Sequence, residues 1–308
     1  MKYYMAPLEG ITTYVYRNAH CRHFGKMDKY FTPFIAAQKD KKFNTRELKE
    51  LSPSHNEGLL VVPQLLTNNA IDFRKNANDI AAMGYQEINL NLGCPSKTVV
   101  TKNKGSGFLA MPEELDQFLD DIFKTNKTEI SIKTRIGKES PEEFYRLLEI
   151  YNQYPIKELT IHPRIQTDYY KNTPNLDMFE VAYKESKNPI CYNGDLNSKM
   201  DLEKIKNRFP KLSAVMLGRG IITNPGMLSG ITKEKLYAFH QTILESYIPI
   251  SSGDRNVLFK MKELWFYMIP LFENTDKIAK KIKKTERLSE YCNIIDTLFE
   301  ICELREDL

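Results

Sequence analysis

Short runs of β-branched and aromatic residues alternate with longer amphipathic stretches from the N-terminus to about residue 217. This alternation is typical of βα units that build a parallel sheet. Helices are predicted between most of the strands, for example over Ala70–Met83, Pro112–Phe123, Pro141–Tyr151 and Met200–Phe209. The eight predicted strands are Tyr3–Ala6, Tyr30–Ile35, Leu60–Leu65, Glu87–Asn91, Glu129–Thr134, Glu158–His162, Ile190–Asn193 and Ala214–Leu217.

Eight strands of this kind predict an α/β fold, a TIM (β/α)8 barrel. A doubly wound sheet is the structural alternative, and it usually places a glycine-rich phosphate loop after its first strand. Here Ala6-Pro7-Leu8-Glu9-Gly10 follows the first strand, and no G-x-G-x-x-G occurs there. The barrel is therefore preferred.

The pattern changes after Pro225, because no convincing strand follows and helical periodicity dominates. Four helices are predicted, over Lys233–Glu245, Asn256–Met268, Asp276–Lys284 and Leu288–Cys302. We therefore expect a catalytic barrel over residues 1–230, followed by a small all-α helical bundle over residues 231–308. The length of 308 residues suits one barrel with such an appendage.

Composition narrows the class of protein further. No apolar run approaches the roughly 20 residues that span a bilayer, and no secretory leader is expected, so no membrane partner is predicted. The cysteines are odd in number and never spaced as C-x-x-C, which argues against a disulfide framework or a metal site and for a reducing cytoplasm. A monomer is expected. The net charge of +4 permits an anionic partner without requiring one. The cysteines are Cys21, Cys94, Cys191, Cys292 and Cys302.

Polar residues follow the predicted strands at the end where TIM barrels place their active sites. Asn193-Gly194-Asp195 follows the seventh strand, and Gly218-Arg219-Gly220 follows the eighth. Many barrels bind phosphate with these two loops, and glycine allows the backbone to approach an anion closely. Glycines that only make tight turns are the alternative. The joint placement of the two loops favours a phosphate site.

Lys133 and Gln64 extend this prediction from phosphate to flavin. A reduced flavin ring carries negative charge near N1 and O2, which a neighbouring lysine stabilises. A glutamine amide is donor and acceptor at once, so it can pair with the pyrimidine edge of the ring. A solvated surface lysine is the alternative, but Lys133 lies in a strand whose alternate side chains point into the barrel.

Cys94 is the candidate acid, because it lies between Gly93 and Pro95 just past a strand end. The other cysteines are interpreted as small buried apolar residues. An acid must keep its proton, so strong stabilisation of the thiolate would be counterproductive. The polar segment that follows, residues 97–107, is either a lid over substrate or a solvated loop.

The densest cationic run lies at the predicted third helix of the bundle. A solvated helix face is the usual explanation of such a run, and contact with a nucleic-acid backbone is the alternative. Lys260 and Lys262 could add to such a surface, and Trp265, Phe266 and Tyr267 are interpreted as bundle core. The run consists of Lys277, Lys280, Lys281, Lys283, Lys284 and Arg287.

Together these motifs resemble those of the tRNA-dihydrouridine synthase family, in order and in spacing. The resemblance covers about residues 1–230, and the helical part is similar in kind to the family's RNA-docking domain. The motifs are Ala6-Pro7-Leu8-Glu9-Gly10-Ile11-Thr12, Asn91-Leu92-Gly93-Cys94-Pro95, Lys104-Gly105-Ser106-Gly107, Lys133-Thr134-Arg135, His162-Pro163-Arg164, Asn193-Gly194-Asp195 and Gly218-Arg219.

The resemblance implies FMN-dependent reduction of a specific uridine in tRNA to 5,6-dihydrouridine, with NADPH or NADH as electron donor. Hydride would pass from the flavin to C6 of uracil, and Cys94 would protonate C5. Asn91 and Arg135 would hold the uracil. FMN would be held by Pro7, Leu8, Glu9, Gln64, Lys133, His162, Asn193, Gly194, Asp195, Gly218 and Arg219.

Two departures from the family pattern concern the first and sixth loops. Thr13 stands where the family often has aspartate, and Asn172, Pro174 and Leu176 follow Tyr170 where a glycine, alanine and tryptophan pattern is common. The position of the reduced uridine is therefore left open. Three other functions also stay open: an FMN-dependent dehydrogenase of a free pyrimidine, a dihydrouridine synthase acting on ribosomal RNA, and a non-catalytic RNA-binding barrel.

Overall fold

The computed structural model describes residues 1–38 and 42–305. Its strands are β1 (Lys2–Met5), β2 (Lys29–Phe31), β3 (Ile35–Ala36), β4 (Val61–Val62), β5 (Gln64–Leu66), β6 (Glu87–Leu92), β7 (Glu129–Gly137), β8 (Leu159–Ile165), β9 (Ile190–Tyr192) and β10 (Ala214–Leu217). Its helices are α1 (Tyr14–Phe24), α2 (Thr45–Leu51), α3 (Ala70–Ala81), α4 (Lys97–Val100), α5 (Pro112–Thr125), α6 (Glu143–Tyr151), α7 (Leu176–Glu185), α8 (Lys199–Arg208), α9 (Arg219–Thr223), α10 (Lys233–Tyr247), α11 (Asp254–Met268), α12 (Asp276–Lys284) and α13 (Leu288–Ile301).

All strand pairs are parallel, in the order β3-β5-β6-β7-β8-β9-β10-β1-β2-β4. The order closes on itself, because β2 and β3 are two pieces of one strand and pair with β4 and β5, the two pieces of the next. The predicted TIM barrel followed by a helical region is confirmed.

Prolines divide the second and third predicted strands. Pro33 lies between β2 and β3, and Pro63 lies between β4 and β5. Proline has no N–H to donate to a strand ladder, so the pairing stops at each of them and resumes beyond. The Gln64 backbone N–H, next to Pro63, donates instead to Thr32 Oγ1, next to Pro33, at 3.1 Å. This bond joins the two strands where their backbone pairing is interrupted.

By their internal contacts, the described residues form two compact units. The barrel unit comprises Met1–Pro7, Asp28–Asp195 and Lys204–Leu217 and contains all ten strands. The helical unit comprises Leu8–Met27, Leu196–Glu203 and the chain from Gly218 onward. The boundary at residue 230 stays a prediction, and the last three residues of the predicted helical domain lie outside the described part.

The N-terminal ends of the barrel strands hold a buried network of charges. Lys29 Nζ lies 3.0 Å from Glu87 Oε2 and 3.6 Å from Glu158 Oε1, and the Tyr4 hydroxyl donates to Glu158 Oε2 at 2.9 Å. Burial raises the pKa of Glu158, while the charge of Lys29 acts in the opposite direction. This end of a barrel usually serves stability, and the network is consistent with that role.

Aromatic residues form the core of the helical unit. Phe239 of α10 packs edge-on against Tyr16 and Phe24 of α1, with ring centroids 5.5 and 5.3 Å away. Trp265 is 1% exposed, as predicted for the bundle core. Phe266 is 76% exposed, so its assignment to the core was wrong. The buried side of α11 is formed by Val257, Leu258, Met261, Leu264, Trp265 and Met268, and residue 266 faces away from it.

Candidate active site

A chain of side-chain amides crosses three neighbouring strands of the barrel. Gln64 on β5 donates from Nε2 to Asn89 Oδ1 at 2.7 Å, and Asn89 on β6 donates from Nδ2 to Ser131 Oγ at 2.9 Å. Asn91 donates from Nδ2 to Gln64 Oε1 at 2.7 Å. The strand register places Gln64 beside Asn89 and Asn89 beside Ser131, so the chain follows directly from the pairing. These bonds hold Gln64 and Asn91 in one orientation.

Asn91 also shapes the loop that carries Cys94. Its Oδ1 accepts hydrogen bonds from the backbone N–H groups of Gly93 and Cys94, each at 3.0 Å. The carbonyl of Cys94 in turn accepts from the Ser106 hydroxyl at 2.8 Å and from the Ser106 backbone N–H at 3.1 Å. The backbone N–H and carbonyl of Cys94 are therefore both held by hydrogen bonds. Its side chain remains partly exposed, which a proton donor to a substrate requires.

The segment after Cys94 is folded, and its two glycines are sterically required. It forms α4 and then a 3-10 turn over Gly105–Ala110. Gly105 has φ +56°, and a Cβ there would lie 2.8 Å from the carbonyl oxygen of Cys94. A Cβ on Gly107 would lie 2.7 Å from the carbonyl oxygen of Val100. Backbone approach this close is possible only without side chains, so the glycines allow this segment to pack against the Cys94 loop.

Lys133 on β7 pairs in register with Asn91, and its side chain is half-buried. Burial, and then the charge of Arg135, lowers the pKa of Lys133 to about 8, while Cys191 and Cys94 act in the opposite direction. Within the described residues no hydrogen bond or ion pair to Lys133 Nζ is found. A half-buried ammonium without a protein partner is a group to which an anion can bind.

Arg135 is 1% exposed, and its guanidinium binds backbone carbonyls. Nε donates to Gly93 O at 3.0 Å, Nη1 to Ile165 O at 2.8 Å and Nη2 to Tyr169 O at 2.7 Å. Its Cζ lies 5.3 Å from the centroid of the Tyr170 ring. The guanidinium therefore joins the Cys94 loop to the segment after β8. These bonds occupy much of its donor capacity.

His162 and Arg164 occupy alternate positions on β8 and form a second polar cluster. Arg164 makes a bidentate ion pair with Asp195, with Nη1 to Oδ1 at 3.0 Å, and Nη1 lies 3.0 Å from His162 Nε2. Arginine can only donate, so His162 Nε2 accepts and its proton is on Nδ1. The carboxylate of Asp195 is thus partly neutralised, and Asp195 has a left-handed φ of +34°.

The remaining predicted cofactor residues fall in both units. In the barrel unit, Asn193 Nδ2 donates to Met216 O at 2.8 Å, and a Cβ on Gly194 would lie 3.0 Å from the Tyr192 hydroxyl. Pro7 ends the first segment of this unit. The helical unit contains Leu8 and Glu9 in the first loop, where Leu8 N donates to Thr12 Oγ1 at 2.7 Å.

Gly218 and Arg219 also belong to the helical unit, where they precede and begin α9. Gly220 is sterically required, because a Cβ there would lie 1.9 Å from the Leu196 carbonyl oxygen. Thr13, the residue that departs from the family's aspartate, has its Oγ1 2.8 Å from the Tyr247 hydroxyl. The first loop is thereby tied to α10 within the helical unit.

Reasoning from sequence assigned no role to Asn89, Ser131, Arg164 or Tyr170, although Arg164 and Tyr170 were named as parts of motifs. A period of two along the strands was the available signal for the first three, because Asn89 and Asn91, Ser131 and Lys133, and His162 and Arg164 are each two residues apart. Tyr170 lies in a loop, and its signal was its match to the tyrosine of the family pattern. Among the described residues no cluster of metal-binding side chains is found.

The cationic run is exposed on α12. Ile278 and Ile282 are the buried residues of this helix, whereas all five of its lysines are exposed. Within the part of the chain that the structure describes, no ion pair involves these lysines. The helix also ends with three lysines in its last turn, where cations interact favourably with the helix dipole.

The fold and the strand-end clusters define an α/β-barrel enzyme with a largely prearranged polar site. The model of the dihydrouridine synthase (Dus) family matches residues 4–304, and the chain belongs to that family. The family assignment from sequence is therefore confirmed, as is the prediction of an oxidoreductase. None of the described helices has the length and apolar character that a membrane span requires.

Curated relatives have the same family name. A probable tRNA-dihydrouridine synthase of Staphylococcus epidermidis is 24% identical, covering 99% of this chain and 95% of its own length. tRNA-dihydrouridine synthase B of Pasteurella multocida is 26% identical over 72% of this chain and 66% of its own length.

A solved structure supports the fold alone. Histamine dehydrogenase from Rhizobium sp. 4-9 superposes with a TM-score of 0.55 at 11% identity, covering 85% of this chain. This chain spans about half the length of that protein, 49%.

Proposed function

We propose that this enzyme reduces a specific uridine of tRNA to 5,6-dihydrouridine, with FMN as its cofactor and NADPH as its electron donor. The observation that carries this proposal is the family match over residues 4–304, joined to a site in which Lys133 and Cys94 lie at neighbouring strand ends. The five free thiols are consistent with the cytoplasm, and we propose a monomer.

The residues present fit a flavin. The ammonium of Lys133 is half-buried, has no protein partner within the described residues, and would stabilise negative charge on the reduced ring. The residues that the family resemblance implies for FMN are Pro7, Leu8, Glu9, Gln64, Lys133, His162, Asn193, Gly194, Asp195, Gly218 and Arg219. The chemistry that FMN supplies when bound is hydride transfer to C6 of uracil.

Cys94 is the proposed proton donor to C5 of the same uracil. The S–H bond breaks as the new C–H bond forms, and the thiolate recovers its proton from solvent. Asn91 positions this thiol by binding the N–H groups of Gly93 and Cys94. Its second Nδ2 hydrogen, for which the described residues provide no partner, is available to a uracil carbonyl. Arg135 is proposed to contribute through the loops that it joins, because carbonyls already occupy its guanidinium.

The target base must leave its stack to reach such a site. Contacts to phosphates remote from the reacting atoms can supply the required free energy. The exposed lysines of α12 are the proposed source, because they are not neutralised by ion pairs within the described residues. We therefore propose that residues 1–230 hold the cofactor and catalyse reduction, and that residues 231–308 dock RNA.

The test is dihydrouridine formation by the purified protein on tRNA taken from cells that lack this enzyme. We expect mass spectrometry to find dihydrouridine at one position, and only when both NADPH and protein are present. Matched reactions contain free uridine, free uracil or ribosomal RNA from the same cells. If the protein reduces a free pyrimidine or ribosomal RNA but not tRNA, the proposal is wrong and that molecule is the substrate.

A further inference from the structure

One side of α11 carries aromatic and cationic residues in alternation. Arg255, Phe259, Lys262 and Phe266 follow one another at spacings of four, three and four residues, which place them along one face of a helix. Phe259 is 66% exposed and Phe266 is 76% exposed. Two exposed rings on one helix face form an apolar patch beside cations, and such a patch can mark a binding surface.

A groove of about 560 Å³ runs beside this stripe, lined by Arg255, Phe259, Lys262, Thr285 and Glu286 among others. Lys262 forms one wall of it, since Nζ donates to Lys283 O at 3.1 Å and also to Thr285 O. These bonds satisfy carbonyls at the C-terminal end of α12, which joins the stripe to the lysine-rich helix. Glu286 is the acidic residue of the groove, against the cations Arg255 and Lys262.

This combination selects the chemistry of the partner. A second copy of the chain would bring like charges together, because a cation precedes each phenylalanine along the stripe. A purely apolar partner would leave Arg255 and Lys262 desolvated without counter-charges. An unpaired nucleotide matches both features, since its base stacks on an aromatic ring and its phosphate pairs with a cation.

We propose that Phe259 and Phe266 stack two unpaired nucleotides of a folded RNA, with Arg255 contacting the adjoining phosphate. The rings are seven residues apart, or about 10 Å along the axis at 1.5 Å per residue, so one base cannot cover both. Lys260 Nζ lies 5.8 Å from the centroid of the Phe259 ring. This inference rests on the proposed function, since it takes RNA as the partner.

The test is titration of the full-length protein with transcribed tRNA over a series of salt concentrations. Phe259→Ala and Phe266→Ala should each weaken tRNA binding about tenfold, as loss of one stacked base does, with little change in salt slope. Phe259→Tyr retains a ring and should bind like the wild type. Arg255→Gln should instead lower the salt slope by about one. A fully paired RNA duplex should bind the alanine variants and the wild type equally.

Ile301→Ala is the matched control, because Ile301 is also a highly exposed apolar residue of the helical unit, at 64%. It should leave tRNA affinity unaltered. If the wild type binds tRNA and both phenylalanine variants match it, this surface is wrong while the proposed function survives. If the wild type binds no tRNA, the proposed function itself fails. Loss of self-association without loss of RNA affinity would assign the stripe to a second copy and overturn the proposal.

Discussion

In the barrel unit, the cations near the strand ends are buried and mostly bonded. Arg135 binds three backbone carbonyls, and Arg164 pairs with Asp195 and His162. In the helical unit, the lysines of α12 and the Phe259 and Phe266 rings of α11 are exposed. Buried and satisfied groups define a fixed geometry, whereas exposed charges attract a large anion from a distance. The difference supports the proposal that the barrel unit carries the chemistry and that RNA docks on the helical unit.

The largest expected effect separates chemistry from cofactor binding. Cys94→Ala should lower the rate of dihydrouridine formation by about 100-fold or more, the usual contribution of a general acid. FMN content should be unaltered, because the thiol does not hold the cofactor. Cys292→Ala, a half-buried cysteine of the helical unit, is the matched control and should keep full activity. Full activity in Cys94→Ala would remove this residue from the mechanism.

The next effect tests whether exposed charge in the helical unit binds RNA. The triple variant Lys280→Glu, Lys281→Glu, Lys284→Glu should weaken tRNA binding by about tenfold or more at low salt and reduce the salt slope. NADPH oxidation by the protein without tRNA should continue. Lys187→Glu with Lys211→Glu is the control, since both are exposed lysines of the barrel unit. If both variants lose the same amount of tRNA affinity, the net charge of the protein governs binding and α12 has no special role.

A smaller effect concerns Lys133, whose pKa burial lowers to about 8. The ammonium is charged below that pH and neutral above it. Affinity of the apoprotein for FMN should therefore fall above about pH 8, by up to about tenfold per pH unit. Lys133→Met should lose this pH dependence, whereas Lys157→Met should retain it, because Lys157 is paired with Glu129 at 2.7 Å on the surface. Quenching of FMN fluorescence measures the FMN affinity of both variants at each pH. A pH dependence that persists in Lys133→Met would exclude Lys133 as its cause.

The smallest effect distinguishes the units by their stability at low pH. Burial lowers the pKa of His20 to about 4 and that of His240 to about 3, and both belong to the helical unit. In the unfolded chain these histidines bind a proton near pH 6.5, whereas in the folded protein they stay neutral to lower pH. Their contribution to stability is therefore complete above pH 6.5 and is lost progressively as the pH falls towards 4 and 3.

His20→Gln should reduce this pH dependence. We expect the difference in Tm between pH 7.5 and pH 5 to shrink by a few degrees, as measured by circular dichroism. Gln can keep a donor for the Pro225 carbonyl, which His20 Nε2 contacts at 3.1 Å. An unaltered pH dependence in this variant would mean that other groups control acid stability.

The fold was predictable because strand and helix periods are local properties of the chain. The predicted start of α3 at Ala70 and the full range of α12 match the structure. The breaks at Pro33 and Pro63 were missed inside otherwise good strand patterns, although proline supplied the signal. Phe266 was assigned to the core by residue type, whereas the period set by Met261, Leu264 and Trp265 places it outside.

The candidate site was predictable in its residues but not in its bonds. Lys133 and Cys94 could be found from their places after strands. The bonds of Arg135 to Ile165 and Tyr169 join residues 30 and 34 positions apart, and those distances depend on the loop after β8. A guanidinium binds a substrate and a carbonyl equally well, so sequence alone cannot choose between them. The roles of the individual site residues stay predictions until they are tested.

The central claim is that the strand ends around Lys133 hold FMN. It is tested most directly by releasing the cofactor from purified protein and measuring its identity and amount by mass spectrometry. We predict FMN at close to one per chain, either as isolated or after incubation with the free cofactor. A colourless protein that takes up no FMN would contradict the account.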